Sequence, residues 1–405
     1  MARHRRLSDL PEFLQSSPFL PVGNISDSFT TTQASQPKPT LAQIIRSKRF
    51  RTIIVFAFFV LALLILPSKL QAYHPLIRIG LSGPKCYFSP PITIPEIPEE
   101  VDWTEFAYSQ YATTTDYLCN SLMIFETLHR LGSKADRILL YPSTLLASTE
   151  NGIFGYLLEK AQAEFNVKLI PINEQRKSNV IRIWASSYTK LLAFNQTQYS
   201  RIIHLDSDST LLSSLDELFF LPPAPVVVPK AYWLPTPKLS SHIMLLTPSS
   251  TTFAKIQEEI EKATKGIYDM EIINSLFGST CSILPHQAYA LLTGELRSPD
   301  PEHKAFLDSA TMEWDPDRVM KEAKFVHFSD YPFPKPWQET SAEEQERAVP
   351  ECVVNDQGEN VDCRARNIWI GLYKDFKARR KVYSPVLLLS FELIANKDAE
   401  YLWLG

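Results

Sequence analysis

The chain has 405 residues, with 41 Lys and Arg against 45 Asp and Glu and a formal net charge of −4. At 45% hydrophobic and 21% charged, its composition excludes a wholly disordered chain and a polytopic membrane protein. Glycine is scarce, 12 against 30 Pro, and neither G-x-G-x-x-G nor G-x-x-x-x-G-K-[ST] occurs. Glycine loops that cradle phosphates are thereby excluded, so a nucleotide bound here needs a metal or another cation to neutralise it. Residues 1–51 hold 8 Lys and Arg and 3 Asp and Glu, a net of +5, which leaves −9 for the rest. That acidity argues against a nucleic-acid-binding body.

In chain order, residues 1–51, rich in Ser, Thr, Pro, Gln and Arg, read as a disordered basic tail. Ile53 to Leu66 is an unbroken apolar run. Counted from Phe50 to Ala72, with Lys69 snorkelling, it is long enough for the roughly 20 residues a span needs. A transmembrane signal anchor is therefore expected at 52–72. Arg46, Lys48, Arg49 and Arg51 crowd its N-terminal edge, which puts the tail in the cytoplasm and the body in a lumen. Pro75, Pro84, Pro90, Pro91, Pro95 and Pro98 make residues 73–100 a stiff stem.

All five cysteines, Cys86, Cys119, Cys281, Cys352 and Cys363, follow the span, where disulfides are permitted. Cys352 and Cys363 flank a turn-forming stretch and are the expected pair; the odd count leaves at least one thiol free. No C-x-x-C occurs, so structural zinc is not expected. Asn195-Gln196-Thr197 is a glycosylation sequon.

Beyond Trp103 strands and helices alternate. Phe106–Ala112 is extended and aromatic, Thr113 to Asp116 can cap a helix, and Leu118–Arg130 repeats apolar residues at helical spacing until Gly132. Arg137–Tyr141 is a short buried strand before Pro142, Asn151–Phe165 a helix, Val167–Ile170 a strand before Pro171, Ser186–Phe194 a helix and Arg201–Leu205 a buried strand. This rhythm predicts an α/β fold with a mostly parallel sheet, whose ligands sit beyond the carboxyl ends of the strands.

Arg201–Leu205 runs straight into Asp206-Ser207-Asp208-Ser209-Thr210. Two carboxylates one residue apart on such a turn can both reach Mg²⁺ or Mn²⁺, and the ion can bridge a diphosphate. The same letters fit a phosphatase of the D-x-D-x-T type, with Asp206 as nucleophile and Asp208 as general acid. Local letters leave the two open.

The surrounding stretch, Thr189 to Phe219 (TKLLAFNQTQYSRIIHLDSDSTLLSSLDELF), resembles the heart of the family 8, glycogenin-like glycosyltransferases: a T-K-L helix, a tyrosine-containing loop, a hydrophobic strand, D-x-D and a D-[DE]-L-F ending. Tyr111 to Pro142 resembles the family's first nucleotide-contacting strand and helix, Asp269-Met270-Glu271-Ile272-Ile273-Asn274 its D-Q-x-x-L-N, and Val326 to Trp337 (VHFSDYPFPKPW) its H-F-x-(G)-x-x-K-P-W. Four motifs occur in family order, and the spelling is most similar to a fungal branch of Golgi N-acetylglucosaminyltransferases. The resemblance implies a GT-A fold over residues 101–337, followed by a C-terminal extension at 338–405. It also implies a UDP-sugar donor, a divalent cation, a glycan or glycoprotein acceptor, retention at the anomeric carbon and a type II Golgi membrane protein.

By matching position, Asp206, Asp208 and His327 would hold the metal, Lys335 would contact the diphosphate and Asp269 would lie near the donor sugar. Lys190 would lie near donor phosphates or sugar, Asn274 beside Asp269, and Thr113, Thr114 and Tyr117 near uracil and ribose. Trp337 would anchor its loop by burial. Asp269 is alternatively the N-cap of the helix that follows it. The sequence departs from the family where N-S-G is expected: Ser240-Ser241-His242 stands there, with Ser240 and Ser241 as candidate donor-sugar contacts. That departure keeps open a catalytically inactive glycan-binding scaffold of the same fold. Beyond Trp337, Ser341–Glu346 is charged, and Arg364–Arg380 places Ile368, Leu372 and Phe376 at four-residue spacing, an amphipathic helix.

Overall fold

The computed structural model describes residues 86–147, 151–175, 186–298, 303–309, 311–354 and 360–383. The expected tail, the membrane anchor and the first part of the stem lie outside them. Among the described residues no helix is long and apolar enough to cross a membrane.

The chain lays down β1 (Phe106–Tyr111), helix α1 (Thr115–Arg130), β2 (Asp136–Pro142), α2 (Asn151–Phe165), β3 (Val167–Ile172), β4 (Arg201–Leu205), β5 (Ser209–Leu211), β6 (Val226–Pro229) and β7 (Ile243–Leu246). Then follow α3 (Ser250–Lys262), α4 (Asp269–Phe277), β8 (Ser282–Leu284), β9 (Leu291–Leu292), β10 (Phe325–His327) and α5 (Arg364–Lys381), with shorter turns of helix between them. A seven-stranded sheet has the order β3-β2-β1-β4-β7-β6-β8. Its first four strands are parallel, and β7 runs antiparallel to both β4 and β6. A three-stranded sheet, β5-β10-β9, stands beside it.

The central strands are apolar on both faces because both faces are covered. Tyr108, Leu139, Ile203, Leu205 and Leu245 point into a core filled by α1, α2 and α5. Their neighbours Ala107, Ile138, Leu140, Ile202 and Met244 face a second core closed by Tyr188, Leu191 and Phe194 together with α3 and α4. Thr114 caps α1 by accepting the Tyr117 N–H at 3.3 Å. Gly132 just beyond it has φ +74°, a left-handed conformation that glycine adopts without a Cβ clash.

Three local expectations are revised. The strands do not stop before Pro142 and Pro171: β2 includes the first, and β3 runs on to Ile172. Proline fits in β3 because that strand is the sheet edge and one side of its backbone needs no partner. The helix expected at Ser186–Phe194 is a 3₁₀ helix, Ser187–Asn195, which opens without a side-chain cap. In α5 the buried stripe is Trp369, Tyr373 and Phe376, with Ile368 and Leu372 only partly covered.

Cys352 and Cys363 form a disulfide, and Cys86 bridges to Cys281, a pairing the spacing does not announce. Cys119 is the buried free thiol. Asn195 ends the 3₁₀ helix and is exposed.

Candidate active site

The site is built where the two sheets meet. β4 delivers Asp206 at its carboxyl end, and the chain turns through Ser207 and Asp208 into β5. β5 pairs antiparallel with β10, setting Ser209 opposite His327. An imidazole remote in sequence thus lands beside the two acids. The turn is pinned by its backbone: the Asp206 N–H donates to the His242 carbonyl at 2.9 Å, and the Phe328 N–H to the Asp208 carbonyl at 2.9 Å. The Ser209 hydroxyl donates to the Asp206 carbonyl at 2.6 Å.

His327 Nε2 lies 3.1 Å from Asp208 Oδ1 and 4.0 Å from Asp206 Oδ2. Asp206, Asp208 and His327 each offer one ligand atom, all within 4.8 Å of one another. Two carboxylate oxygens and an imidazole nitrogen are a donor set that suits Mn²⁺ or Mg²⁺, with the nitrogen favouring Mn²⁺. The residues fit a divalent cation.

Two lysines flank the acids. Lys190, buried on the 3₁₀ helix, reaches Asp206 Oδ1 at 2.6 Å and Asp269 Oδ2 at 3.0 Å. Lys335 reaches Asp208 Oδ2 at 2.7 Å and also bonds the Phe328 carbonyl. Burial disfavours both acids' charged forms. For Asp208, Lys335 and His327 outweigh it and hold the carboxyl well below its ordinary range. For Asp206 burial prevails over Lys190, and its carboxyl is raised. Burial works against the Lys190 charge, but Asp206 and Asp269 outweigh it and keep this ammonium protonated.

The remaining expected residues divide. Asp269 and Ser241 join the cluster: the Ser241 hydroxyl donates to Asp269 Oδ2 at 2.7 Å. The N-cap of α4 is Tyr268, not Asp269, so the Asp269 carboxylate is left for Lys190 and Ser241. Tyr117 meets Trp337 edge-on at 6.2 Å, and Trp337 also packs on Phe376 at 5.5 Å. Ser240 bonds His242 Nδ1. Asn274 is committed to backbone: it takes the Leu239 N–H at 2.8 Å and donates to the Leu239 carbonyl at 2.9 Å and the Met270 carbonyl at 2.8 Å. It braces the segment that carries Ser240 and Ser241. Thr114 is occupied as the cap of α1, and Thr113 beside it is half-buried.

No family model matches the chain. Glucose N-acetyltransferase 1 of Gibberella zeae is 49% identical across 69% of this chain and 63% of its own length, so less than two thirds of that relative is matched. Glucose N-acetyltransferase 1 of Aspergillus fumigatus is 39% identical across 85% of this chain and 90% of its own length. The chain belongs to the fungal glucose N-acetyltransferase 1 branch of the glycosyltransferases. A solved structure of the galactosyltransferase LgtC with donor and acceptor sugar analogues overlaps 62% of this chain and 98% of its own, with 16% identity and a TM-score of 0.40.

In this member of the glucose N-acetyltransferase 1 branch, two site residues escape sequence reasoning. His242 stacks on His327, with ring centroids 5.0 Å apart; its only signal was its place in the stretch that departs from N-S-G. Asp330 is buried and accepts from Tyr373 OH at 2.8 Å and Trp369 Nε1 at 3.2 Å, and from the Thr293 hydroxyl. It ties the loop between His327 and Lys335 to α5. An aspartate in a proline-rich loop gives no sign in the sequence of being buried.

Proposed function

We propose that this chain is a GT-A enzyme that transfers N-acetylglucosamine from UDP-N-acetylglucosamine to a glycan or glycoprotein in the Golgi lumen, with retention, anchored as a type II membrane protein. The convergence of Asp206, Asp208 and His327 at the end of β4, flanked by Lys190 and Lys335, carries the reading. The name shared by the relatives supports the sugar, and the apolar run at 52–72 with its basic edge supports the topology.

A Mn²⁺ or Mg²⁺ ion held by Asp206, Asp208 and His327 would take up the charge that develops on the diphosphate as the sugar–phosphate bond breaks. Lys335 sits on a flexible stem, so its ammonium can pass from Asp208 to a phosphate oxygen, doing what a glycine loop does elsewhere. Lys190 holds Asp206 and Asp269 in place, and Asp269 with Ser241 faces the donor sugar. Asp269 is engaged by Lys190 and Ser241, and we take same-face attack by the acceptor hydroxyl, its proton passing to the departing phosphate, as the retaining route. The leaving diphosphate needs no acid catalyst, so a glycosidase-like carboxylate pair is not required.

The test uses the detergent-solubilised full chain with UDP-N-acetylglucosamine, UDP-glucose and UDP-galactose, mannose-bearing acceptors, and Mn²⁺ present or absent. Transfer of N-acetylglucosamine that requires Mn²⁺ and vanishes in Asp208→Ala is expected. No turnover of any UDP-sugar, with Asp208→Ala unchanged, would mark a glycan-binding scaffold. In cells, an endoglycosidase-sensitive glycan on Asn195 would report a lumenal body.

A further inference from the structure

We infer that His242 is a positioning residue for the cation site, holding the ring of His327 and the backbone of Asp206 in register; the inference rests on the metal-dependent reading above. A metal-ligating histidine ordinarily donates its second ring N–H to a carboxylate or carbonyl, which fixes the ring's orientation. In His327 that nitrogen, Nδ1, is buried and has no hydrogen-bond partner among the described residues. Something else must set the plane of the ring.

His242 supplies it. Phe325 and His327 are two apart on β10 and present their rings on one face of the strand. The His242 ring lies against both, 5.8 Å from Phe325 with 5° between planes and 5.0 Å from His327 with 21° between planes. Trp233 also meets the His242 ring, tilted, at 5.8 Å. The Ser240 hydroxyl accepts the His242 N–H at 3.5 Å and bonds ring Nδ1, which locks the side chain against its own backbone. The carbonyl of the same residue takes the Asp206 N–H at 2.9 Å. One residue therefore touches two of the three ligands, one through the main chain and the other through the ring. A glycine in this position, as N-S-G would supply, leaves the His327 ring without a stacking surface.

The test is direct Mn²⁺ binding to the full chain by calorimetry and by the electron paramagnetic resonance of the free ion, without donor sugar. His242→Leu fills the volume without a ring plane; His242→Phe keeps the plane and loses the polar nitrogens. A 10- to 100-fold loss of Mn²⁺ affinity is expected for His242→Leu, the range for removing an outer support of a metal ligand. His242→Phe should bind within about threefold of wild type, and saturating Mn²⁺ should restore most of the kcat of His242→Leu. Melting in EDTA shows whether each variant folds, and His242→Met replaces the leucine should that variant fail. Wild-type affinity in His242→Leu, or a loss in His242→Phe equal to that in His242→Leu, overturns the role of His242 and leaves the cation site standing. Absence of Mn²⁺ binding by the wild type overturns the cation site and this inference with it.

Discussion

Lys190 offers the sharpest test of how the site is held together. Its side chain is 5% exposed and serves two carboxylates, Asp206 at 2.6 Å and Asp269 at 3.0 Å. Lys190→Met keeps most of the apolar stem and deletes the charge. The part-buried Asp206 and the buried Asp269 then lose their common partner, and removing one member of a buried ion pair costs about 3–5 kcal/mol. For a chain of 405 residues each kcal/mol moves Tm by about 1–2 °C, so a drop on the order of 5 °C is expected in EDTA, where a bound cation cannot compensate. Asp269→Asn in the Lys190→Met background removes one stranded carboxylate and should return part of the loss. The coupling between the two changes should reach about 0.5–3 kcal/mol, the range for residues in contact. The assay is differential scanning calorimetry of the solubilised full chain and the two single and one double variants. A Lys190→Met chain that melts within about 2 °C of wild type, or a double variant whose losses simply add, would refute the view that Lys190 is the electrostatic keystone of the cluster.

Phe376→Ala should cost about 3–5 kcal/mol by the usual cavity argument, because that ring is 1% exposed and packs on Phe328 at 4.9 Å; chemical denaturation measures it. Cys281→Ser should destabilise more than Cys352→Ser, about 5 against about 3 kcal/mol on a chain-entropy account, since the closed segments are 195 and 11 residues long; melting of the two variants ranks them. Burial pushes the Glu271 carboxyl up to about 7, with Lys238 opposing. A raised acid favours the folded state below its ordinary range near 4.5 and loses that contribution as pH rises through 7. Glu271→Gln should therefore flatten the stability–pH curve between those limits, and urea titrations at pH 5 and pH 8 compare the two chains.

Much of the site was legible because its parts are local. The short run Arg201–Leu205, with Ile202, Ile203 and Leu205 as its apolar residues, reads as a buried strand in a β/α rhythm, and two acids directly after it lie where ligands gather. The resemblance then selected His327, Lys335, Lys190 and Asp269 from a long chain. What stayed hidden depends on contacts that no window of sequence contains. The Cys86–Cys281 bridge joins the segment before β1 to the turn just ahead of β8, and spacing says nothing of it. Asp330 reads as a loop residue until α5 brings Trp369 and Tyr373 over it. Two of the three stripe positions of α5 moved by one, from Ile368 and Leu372 to Trp369 and Tyr373, while Phe376 stayed, because the aromatic residues meet the loop. Asn274 matched a motif letter, yet its side chain serves the Leu239 backbone; a letter fixes a place in the chain, not the partner found there.

The pairing of β5 with β10 has a consequence for synthesis. A nascent chain that has emerged beyond Thr210 but not yet reached Phe325 carries both acids and lacks the imidazole. Such an intermediate lacks the third member of the proposed ligand set, so a cation bound as proposed would find its complete site only after residue 327 has been made.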